Sequence, residues 1–277
     1  MIYLNAEVVS GLGEDTFWTW FHRQFPSSVF AEPRRLTSED AVLRYSTLGF
    51  LPIAGKQIAL CWELYPAMKD RFGGSLWDDK LAMVHEAARY ATYRTVATDL
   101  TRPLYEPYGS VDIIPIGVDT DLFRPLPDKE GLRAKYGLPK NKEIGVWAGT
   151  AHPMKGFALL LEYATLHPDI HWVTICKTEH ESVAMPGATR FVHVGQEVLC
   201  ELINAGDFFL STSLLRPFFM AEWEAMACDA PMRLIGERAK EFTPSTHPRE
   251  DVLREGWDRP SVKKKWELFL TERGIAW

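Results

Sequence analysis

The 277-residue sequence has little of what marks several protein classes. It has four cysteines, and no two stand in a CxxC spacing, which argues against a zinc site or a thioredoxin-like motif. No apolar run approaches the roughly 18 residues of a membrane span. The N-terminus has no basic segment followed by a long apolar one, so we expect no secretory signal. These absences favour a cytoplasmic protein, and Cys61, Cys176 and Cys200, which lie in apolar runs, are expected to be reduced core residues.

The chain also lacks an excess of positive charge, with 31 Lys and Arg against 37 Asp and Glu and a net charge of −6. Because nucleic-acid binding needs clustered positive charge, a binder along the whole chain is not favoured. The exception is the stretch after Arg233, which has a small positive balance and the run Lys263-Lys264-Lys265. A solvated helix face is its simpler interpretation. The hydrophobic and charged fractions, 46% and 25%, are ordinary for one large or two small globular domains.

The second half of the chain alternates short apolar runs with segments of helical spacing. Strands are predicted at 144–149, 171–176, 190–194, 207–211 and 232–235. Helices are predicted at 157–166, 196–205 and 221–228. This alternation is typical of βαβ units and predicts a parallel sheet in a Rossmann-like domain.

The first half repeats the pattern less clearly. Strands are predicted at 2–4, 57–62, 95–98 and 111–115, and helices at 15–24 and 77–93. A Pro-rich stretch without periodicity, 123–129, is the predicted linker. The stretch 261–273 is predicted to be an amphipathic helix with Val262, Trp266, Phe269 and Leu270 inward.

The predicted fold class is therefore α/β, with two Rossmann-like domains facing a cleft. We assign 1–125 to the first domain, 126–260 to the second, and 261–277 to a C-terminal helix that packs back on the first. Open α/β sheets bind ligands beyond the carboxyl ends of their strands, so we expect the site in the groove between the domains.

Three segments carry a more specific signal: VDIIPIGVDTDLFRP at 111–125, GVWAGTAHPMKGFALLLEYA at 145–164 and EWEAMACDAPM at 222–232. In this order they resemble the retaining glycosyltransferases of family GT4, which have the GT-B fold. The resemblance is good over about 95–235, weak over 1–55 and absent after about 236. It implies transfer of a sugar from a nucleoside-diphosphate donor, UDP- or GDP-sugar, to a hydroxyl acceptor with retention. It also places the acceptor on the first domain and the donor on the second.

Two residues are the main candidates for donor binding. Lys155, just before Gly156 at a predicted helix start, can place a point charge on a diphosphate, and the first-turn N–H groups add the positive end of the helix dipole. Gly149 lets the backbone turn closely under the phosphates. The resemblance implies that Lys155 contacts the diphosphate. It also implies that Glu224, the second Glu of the family's E-x7-E pattern, accepts hydrogen bonds from the ribose hydroxyls.

The loop Ser10-Gly11-Leu12-Gly13 follows the first predicted strand. By resemblance, Gly11 and Gly13 border the donor phosphate and the acceptor, although an ordinary tight turn is as good an interpretation. Asp119 matches a family position with a structural role, an Asx-type turn or a helix cap.

Three departures from the family pattern matter. Arg216 stands where the first Glu of E-x7-E is expected, and Thr150 stands in the donor site where the family has Arg. Arg216 is a hypothetical replacement for that lost charge, or a bidentate partner for an acidic sugar. Glu63, after Trp62, stands where the family has Asp and is a candidate contact for acceptor or sugar. Trp62 is either a stacking wall or a core residue.

Other activities remain open. The ten tryptophans and the Lys263–Lys265 run suit a viral-type enzyme that glycosylates DNA bases, as an alternative to a glycan or lipid-linked acceptor. The losses at Arg216 and Thr150 suit a catalytically degenerate nucleotide-sugar-binding partner subunit, and an epimerase is a third possibility. We predict no essential metal and no cofactor beyond the nucleotide sugar.

Overall fold

The computed structural model describes residues 1–5, 13–30, 36–50, 52–75, 77–151, 153–176, 185, 187–214, 220–236, 243 and 245–277, with the backbone alone at 13–16. The chain divides into two compact units. The first unit comprises Met1–Gly117 with Pro260–Trp277, and the second unit comprises Val118–Arg259. Each contains one all-parallel sheet, so the prediction of two Rossmann-like domains is confirmed. No helix in the described part of the chain has the length and apolarity of a membrane span.

The sheet of the first unit has the strand order β2-β1-β3-β4-β5-β6. Its strands are β1 Ile2–Asn5, β2 Val29–Phe30, β3 Ala41–Tyr45, β4 Lys56–Leu60, β5 Tyr93–Val96 and β6 Asp112–Ile113. The helices of this stretch are α1 Gly13–Gln24, α2 Tyr65–Phe72, α3 Asp78–Tyr90 and α4 Arg102–Tyr105. The element pattern is that of a parallel α/β domain, with helices in the connections between strands.

The first unit corrects several sequence-based predictions. The central strand β3 was not predicted, although all five of its residues are buried. The short strand β2 and helix α2 were also missed. The predicted helix at 77–93 ends at Tyr90, because Tyr93 already begins β5.

Trp62 belongs to the core of the first unit. It is buried, and its ring lies edge-on to Phe17 with the centroids 4.7 Å apart. An enclosed ring offers no face to a ligand, so the stacking-wall hypothesis for Trp62 is wrong and its interpretation as a core residue is right.

The sheet of the second unit has the order β11-β10-β7-β8-β9. Its strands are β7 Ile144–Ala148, β8 His171–Cys176, β9 Ala188–Val192, β10 Phe208–Ser211 and β11 Met232–Leu234. Its helices are α5 Lys129–Lys135, α6 Phe157–Leu166, α7 Gln196–Ala205, α8 Met220–Ala227 and α9 Pro248–Arg254, and a final helix, α10, spans Arg259–Glu272. The bounds of α6, α7 and β8 are those predicted from the sequence.

Helix α10 brings four buried side chains, Val262, Trp266, Phe269 and Leu270, into the core of the first unit. The Trp266 ring lies edge-on to Phe21, with the centroids 5.3 Å apart. Residues from the end of the chain therefore complete a core that begins with the first strand.

The strand order of the second unit reverses beside β7. From β7 the chain runs to β8 and β9 on one side, and then returns to place β10 on the other side. The connections after β7 and β10 therefore leave neighbouring strand ends in opposite directions. In open parallel sheets this topological switch point leaves an opening at the carboxyl edge, where ligands bind.

Candidate functional site

The loop after β7 approaches the end of β10 so closely that it needs a glycine. The loop passes through the turn Pro153–Lys155 to Gly156, which precedes α6 with φ of 65°. A Cβ at Gly156 would lie 1.8 Å from the carbonyl oxygen of Thr212. Both the left-handed backbone and this contact exclude any side chain at Gly156.

Hydrogen bonds fix this contact between the loop after β7 and the residues that follow β10. Thr212 Oγ1 donates to the Lys155 carbonyl oxygen at 2.5 Å and accepts from Trp147 Nε1 at 2.9 Å. The Leu214 N–H donates to the Met154 carbonyl oxygen at 3.0 Å. The backbone of Lys155 is thus held at the switch point by the residues that follow β10.

A small pocket opens at this point, lined among others by Lys155, Glu222 and the segment Ser211–Ser213. Glu222 lies in α8 and is 3% exposed. The hydroxyls of Ser211 and Ser213 both donate to its Oε1, the latter at 2.9 Å. These bonds compensate part of the cost of burying a carboxylate and fix its orientation.

Lys155 is partly buried, and its surroundings act on its charge in two directions. Burial lowers its pKa to about 7, while the charges of Glu222 and Glu224 act to raise the pKa. A lysine in this state gains a proton readily when an anion arrives, because added negative charge favours the ammonium form.

Glu224 is 5% exposed and lies two residues after Glu222 in α8. Burial raises the pKa of Glu224 to about 7, and the positive charges of Arg259 and Lys155 oppose that shift. Within the described residues no hydrogen bond reaches its carboxylate. A buried carboxylate of this kind can accept hydrogen bonds from ligand hydroxyls.

Gly149 and Thr150 follow β7 directly. The Gly149 N–H donates to the Ile175 carbonyl oxygen at 2.9 Å, and a Cβ at Gly149 would lie 3.2 Å from the Trp147 ring and 3.7 Å from Lys155 Cγ. The tight contact would be with the Trp147 ring, whereas the contact with Lys155 would be an ordinary van der Waals one, so the glycine leaves room for Trp147. Thr150 is half-buried in the same loop. The structure therefore brings Gly149, Thr150, Lys155, Gly156 and Glu224 together in the second unit.

Glu63 lies in the first unit, beyond the end of β4. Its Oε2 accepts a hydrogen bond from Ser46 Oγ at 3.2 Å, and its carbonyl oxygen accepts one from the Tyr105 hydroxyl at 2.7 Å. Glu63 is therefore a half-buried carboxylate at the carboxyl edge of that sheet, and its contact with acceptor or sugar stays a prediction.

The remaining candidates are placed as follows. Gly13 is the first residue of α1, whereas Gly11 and Arg216 lie outside the described residues. The carboxylate of Asp119 accepts hydrogen bonds from the N–H groups of Asp121 and Leu122 at 3.2 and 3.1 Å, an Asx-type turn as predicted.

Glu222 is a residue of the site that the sequence analysis missed. The signal that could have found it is the hydroxyl-rich Ser211-Thr212-Ser213 at the end of a strand. Across the described ranges, no group of three His, Cys, Asp or Glu side chains is arranged to hold a metal ion. The expectation that no metal is needed stays a prediction.

No protein-family profile matches the chain. The D-inositol 3-phosphate glycosyltransferase of Mycolicibacterium paratuberculosis is 28% identical over 136 residues, covering 44% of this chain and 31% of that protein. The enzyme of the same name from Mycolicibacterium gilvum is also 28% identical, over 140 residues, with 45% and 31% covered. The matched region thus spans about a third of the length of these curated relatives.

Two solved structures match over nearly the whole chain. HepE of Anabaena, in complex with UDP and glucose, superposes with a TM-score of 0.71 at 11% identity, covering 98% of this chain and 99% of HepE. WaaG, a glycosyltransferase involved in lipopolysaccharide biosynthesis, gives a TM-score of 0.66 at 13% identity, covering 96% and 93%. The chain has the GT-B fold. Within this fold, the loop that carries Lys155 follows the first strand of the second domain.

Proposed function

We propose that this GT-B protein is a glycosyltransferase of the GT4 type. It moves a sugar from a nucleoside-diphosphate donor to a hydroxyl acceptor with retention, with the donor on the second unit and the acceptor on the first. The observation that carries the proposal is Lys155, which lies at the switch point next to the start of α6 with the buried Glu224 acting on its charge. The glycosyltransferase relatives support sugar transfer, and HepE, which was solved with UDP and glucose, supports a UDP-sugar as donor.

Lys155 suits the leaving group of this reaction. As the bond between the sugar C1 and the diphosphate oxygen breaks, negative charge grows on the diphosphate. The ammonium form of Lys155 stabilises that charge, and the N–H groups at the start of α6 add to it. Because Lys155 has a pKa of about 7, the bound diphosphate completes its protonation.

Glu224 suits the ribose of the donor. Its carboxylate is buried, is acted on by the charges of Arg259 and Lys155, and accepts hydrogen bonds from a diol when ionised. Gly149, Thr150 and Gly156 would border the diphosphate, as would Gly11, Gly13 and Arg216, and Glu63 would contact the acceptor or the sugar.

The proposed step needs no protein nucleophile. The acceptor oxygen attacks C1 on the face that the diphosphate leaves, the new C1–O bond forms as the old one breaks, and the acceptor proton passes to the leaving phosphate. The protein contributes orientation and charge stabilisation.

Lys155→Met tests the donor site, because methionine keeps the length of the side chain and removes its charge. We expect UDP to bind roughly 10- to 100-fold more weakly, the loss of one charge-assisted contact of about 1.5–3 kcal/mol. Lys140→Ala, an exposed lysine of the same unit, is the matched control and should bind UDP like wild type. Isothermal titration calorimetry gives both affinities.

Release of UDP from UDP-glucose, measured on the same proteins, separates the alternatives. Slow hydrolysis by wild type and its loss in Lys155→Met support a transferase. UDP binding without hydrolysis or transfer favours a degenerate partner subunit, and DNA binding that collapses with salt favours a DNA acceptor. Failure of wild type to bind any nucleoside diphosphate or its sugar conjugate contradicts the proposal.

A further inference from the structure

The hydroxyls of Ser211-Thr212-Ser213 point to two different partners. Ser211 and Ser213 donate to the Glu222 carboxylate, whereas Thr212 donates to the backbone carbonyl of Lys155. Ser211 ends β10 and the other two residues follow it directly, so one tripeptide holds both partners at once. The Glu222 carboxylate and the backbone of Lys155 are thereby held by neighbouring residues of one segment.

Burying an ionised carboxylate at the Glu222 position costs free energy unless neighbouring groups compensate for it. The residue is 3% exposed, and both hydroxyls donate to the same oxygen, Oε1. Lys155 lines the same pocket, and the charge of Glu222 favours its ammonium form. A buried carboxylate and a partly buried lysine each reduce the cost of burying the other's charge.

We propose that Glu222 is a positioning residue: its carboxylate, oriented by Ser211 and Ser213, favours the ammonium form of Lys155 at the switch point, where this lysine receives a diphosphate. The identity of the anion as a diphosphate rests on the proposed function. The pairing of Glu222 with Lys155 is independent of that function. Glu222 itself need not touch the donor.

The charged groups that act on Lys155 within the described chain are Glu222 and Glu224, both on α8. Arg259 and Cys200 act on Glu224. Burial raises the pKa of Glu224 to about 7, so its negative charge is lost as the pH falls through that value. Glu222, fixed by two hydroxyls, is therefore the partner that we assign to Lys155.

Glu222→Gln tests this role, since glutamine keeps the shape and an oxygen that accepts from the two serines. Competitive acetylation of lysines at a series of pH values, read by mass spectrometry, gives the pKa of Lys155 without any ligand. We expect a lower pKa for Lys155 in Glu222→Gln than in wild type, and a return toward wild type in Glu222→Asp. Glu162→Gln, an exposed carboxylate on α6, should leave it unchanged.

The affinity for UDP across pH gives the second readout. In Glu222→Gln the pH at which binding weakens should move to lower values, with about tenfold weaker binding at pH 8 for each unit of that shift. A residue that merely repels phosphate gives the opposite result, tighter binding by Glu222→Gln at every pH.

An unchanged pKa of Lys155 in Glu222→Gln would overturn the inference, as would pH profiles of equal midpoint. If that variant does not fold, Ser213→Ala is the second test, because it keeps the charge of Glu222 and removes one of the two hydroxyl donors. We expect Ser213→Ala to lower the pKa of Lys155 by a smaller amount than Glu222→Gln. An unchanged pKa of Lys155 in Ser213→Ala would also contradict the role. Failure of wild type to bind UDP, together with the expected shift in acetylation, would contradict only the proposed function.

Discussion

Gly156 sets the geometry of the loop that carries Lys155. Its left-handed backbone and the 1.8 Å approach to the Thr212 carbonyl oxygen are two separate reasons why a side chain does not fit. Gly137, the second residue after α5, has φ of 64° and shares the first reason only, because a Cβ there would have no atom within 4 Å. Substitutions at these two glycines therefore distinguish the free-energy cost of a left-handed side-chain-bearing residue from the cost of the contact with Thr212.

Gly137→Ala should cost about 1 kcal/mol, the penalty of a left-handed alanine. Gly156→Ala should cost several kcal/mol more, because Thr212 must move. Urea unfolding followed by circular dichroism measures both. Equal destabilisation by the two variants would show that the contact with Thr212 contributes little.

At the scale of the residue, some members of the site can be predicted from the sequence and others cannot. Lys155, Gly156 and Glu224 were predicted because they stand in spaced motifs. Glu222 was not, because every residue of α8 from Glu222 to Ala227 is buried. A helix that is buried all round has no polar face, so spacing alone does not tell which carboxylate meets the lysine.

At the scale of the element, α8 makes the stability of the protein depend on pH through Glu224. Its pKa is about 7 in the folded state against an ordinary 4.5. Between these values the folded state binds more protons than the unfolded state, so this group's contribution to stability falls as the pH rises. Above pH 7, Lys155 changes the stability in the opposite direction. Because its pKa is lowered in the folded state, the unfolded state binds more protons there, and the contribution of Lys155 to stability rises with pH.

Glu224→Gln should remove the first of these contributions. The stability of the variant relative to wild type should therefore rise as the pH goes from about 4.5 to about 7, by about 3 kcal/mol at most. Thermal unfolding midpoints across this range test the trend, with Glu162→Gln as the exposed control. A difference that stays constant with pH would contradict the raised pKa.

The helices and strands differ in how well the sequence predicts them. Helix α7 was predicted with its observed bounds because apolar residues recur on one face and Gly206 follows it. That glycine is extended, with φ of −75°, and a Cβ there would meet Val146 Cγ2 at 2.4 Å, so close packing explains it. Strand β3 was missed because Arg44 interrupts its apolar run; the structure buries Arg44 and pairs it with the Leu48 carbonyl oxygen at 2.6 Å.

At the scale of the whole molecule, the first unit depends on the last residues of the chain. Trp266 of α10 is fully buried against Phe21, whereas Leu268 of the same helix is 60% exposed. The amphipathic pattern of this helix predicts which of its faces is buried, but it does not identify the side chains, such as Phe21, that this face meets.

Trp266→Ala should therefore destabilise the protein by about 3–5 kcal/mol, the cost of removing a large buried side chain. Leu268→Ala should change stability by no more than about 0.5 kcal/mol. Urea unfolding followed by circular dichroism compares them. Similar midpoints for the two variants would mean that α10 adds little to the core.

The central claim is that the switch point of the second unit binds the diphosphate of a nucleotide. A crystal structure of the wild-type protein with UDP tests it most directly. We predict the diphosphate next to Lys155 and the start of α6, with the ribose hydroxyls on Glu224. UDP bound elsewhere on the chain, with the pocket beside Lys155 unoccupied at saturating nucleotide, would contradict the account.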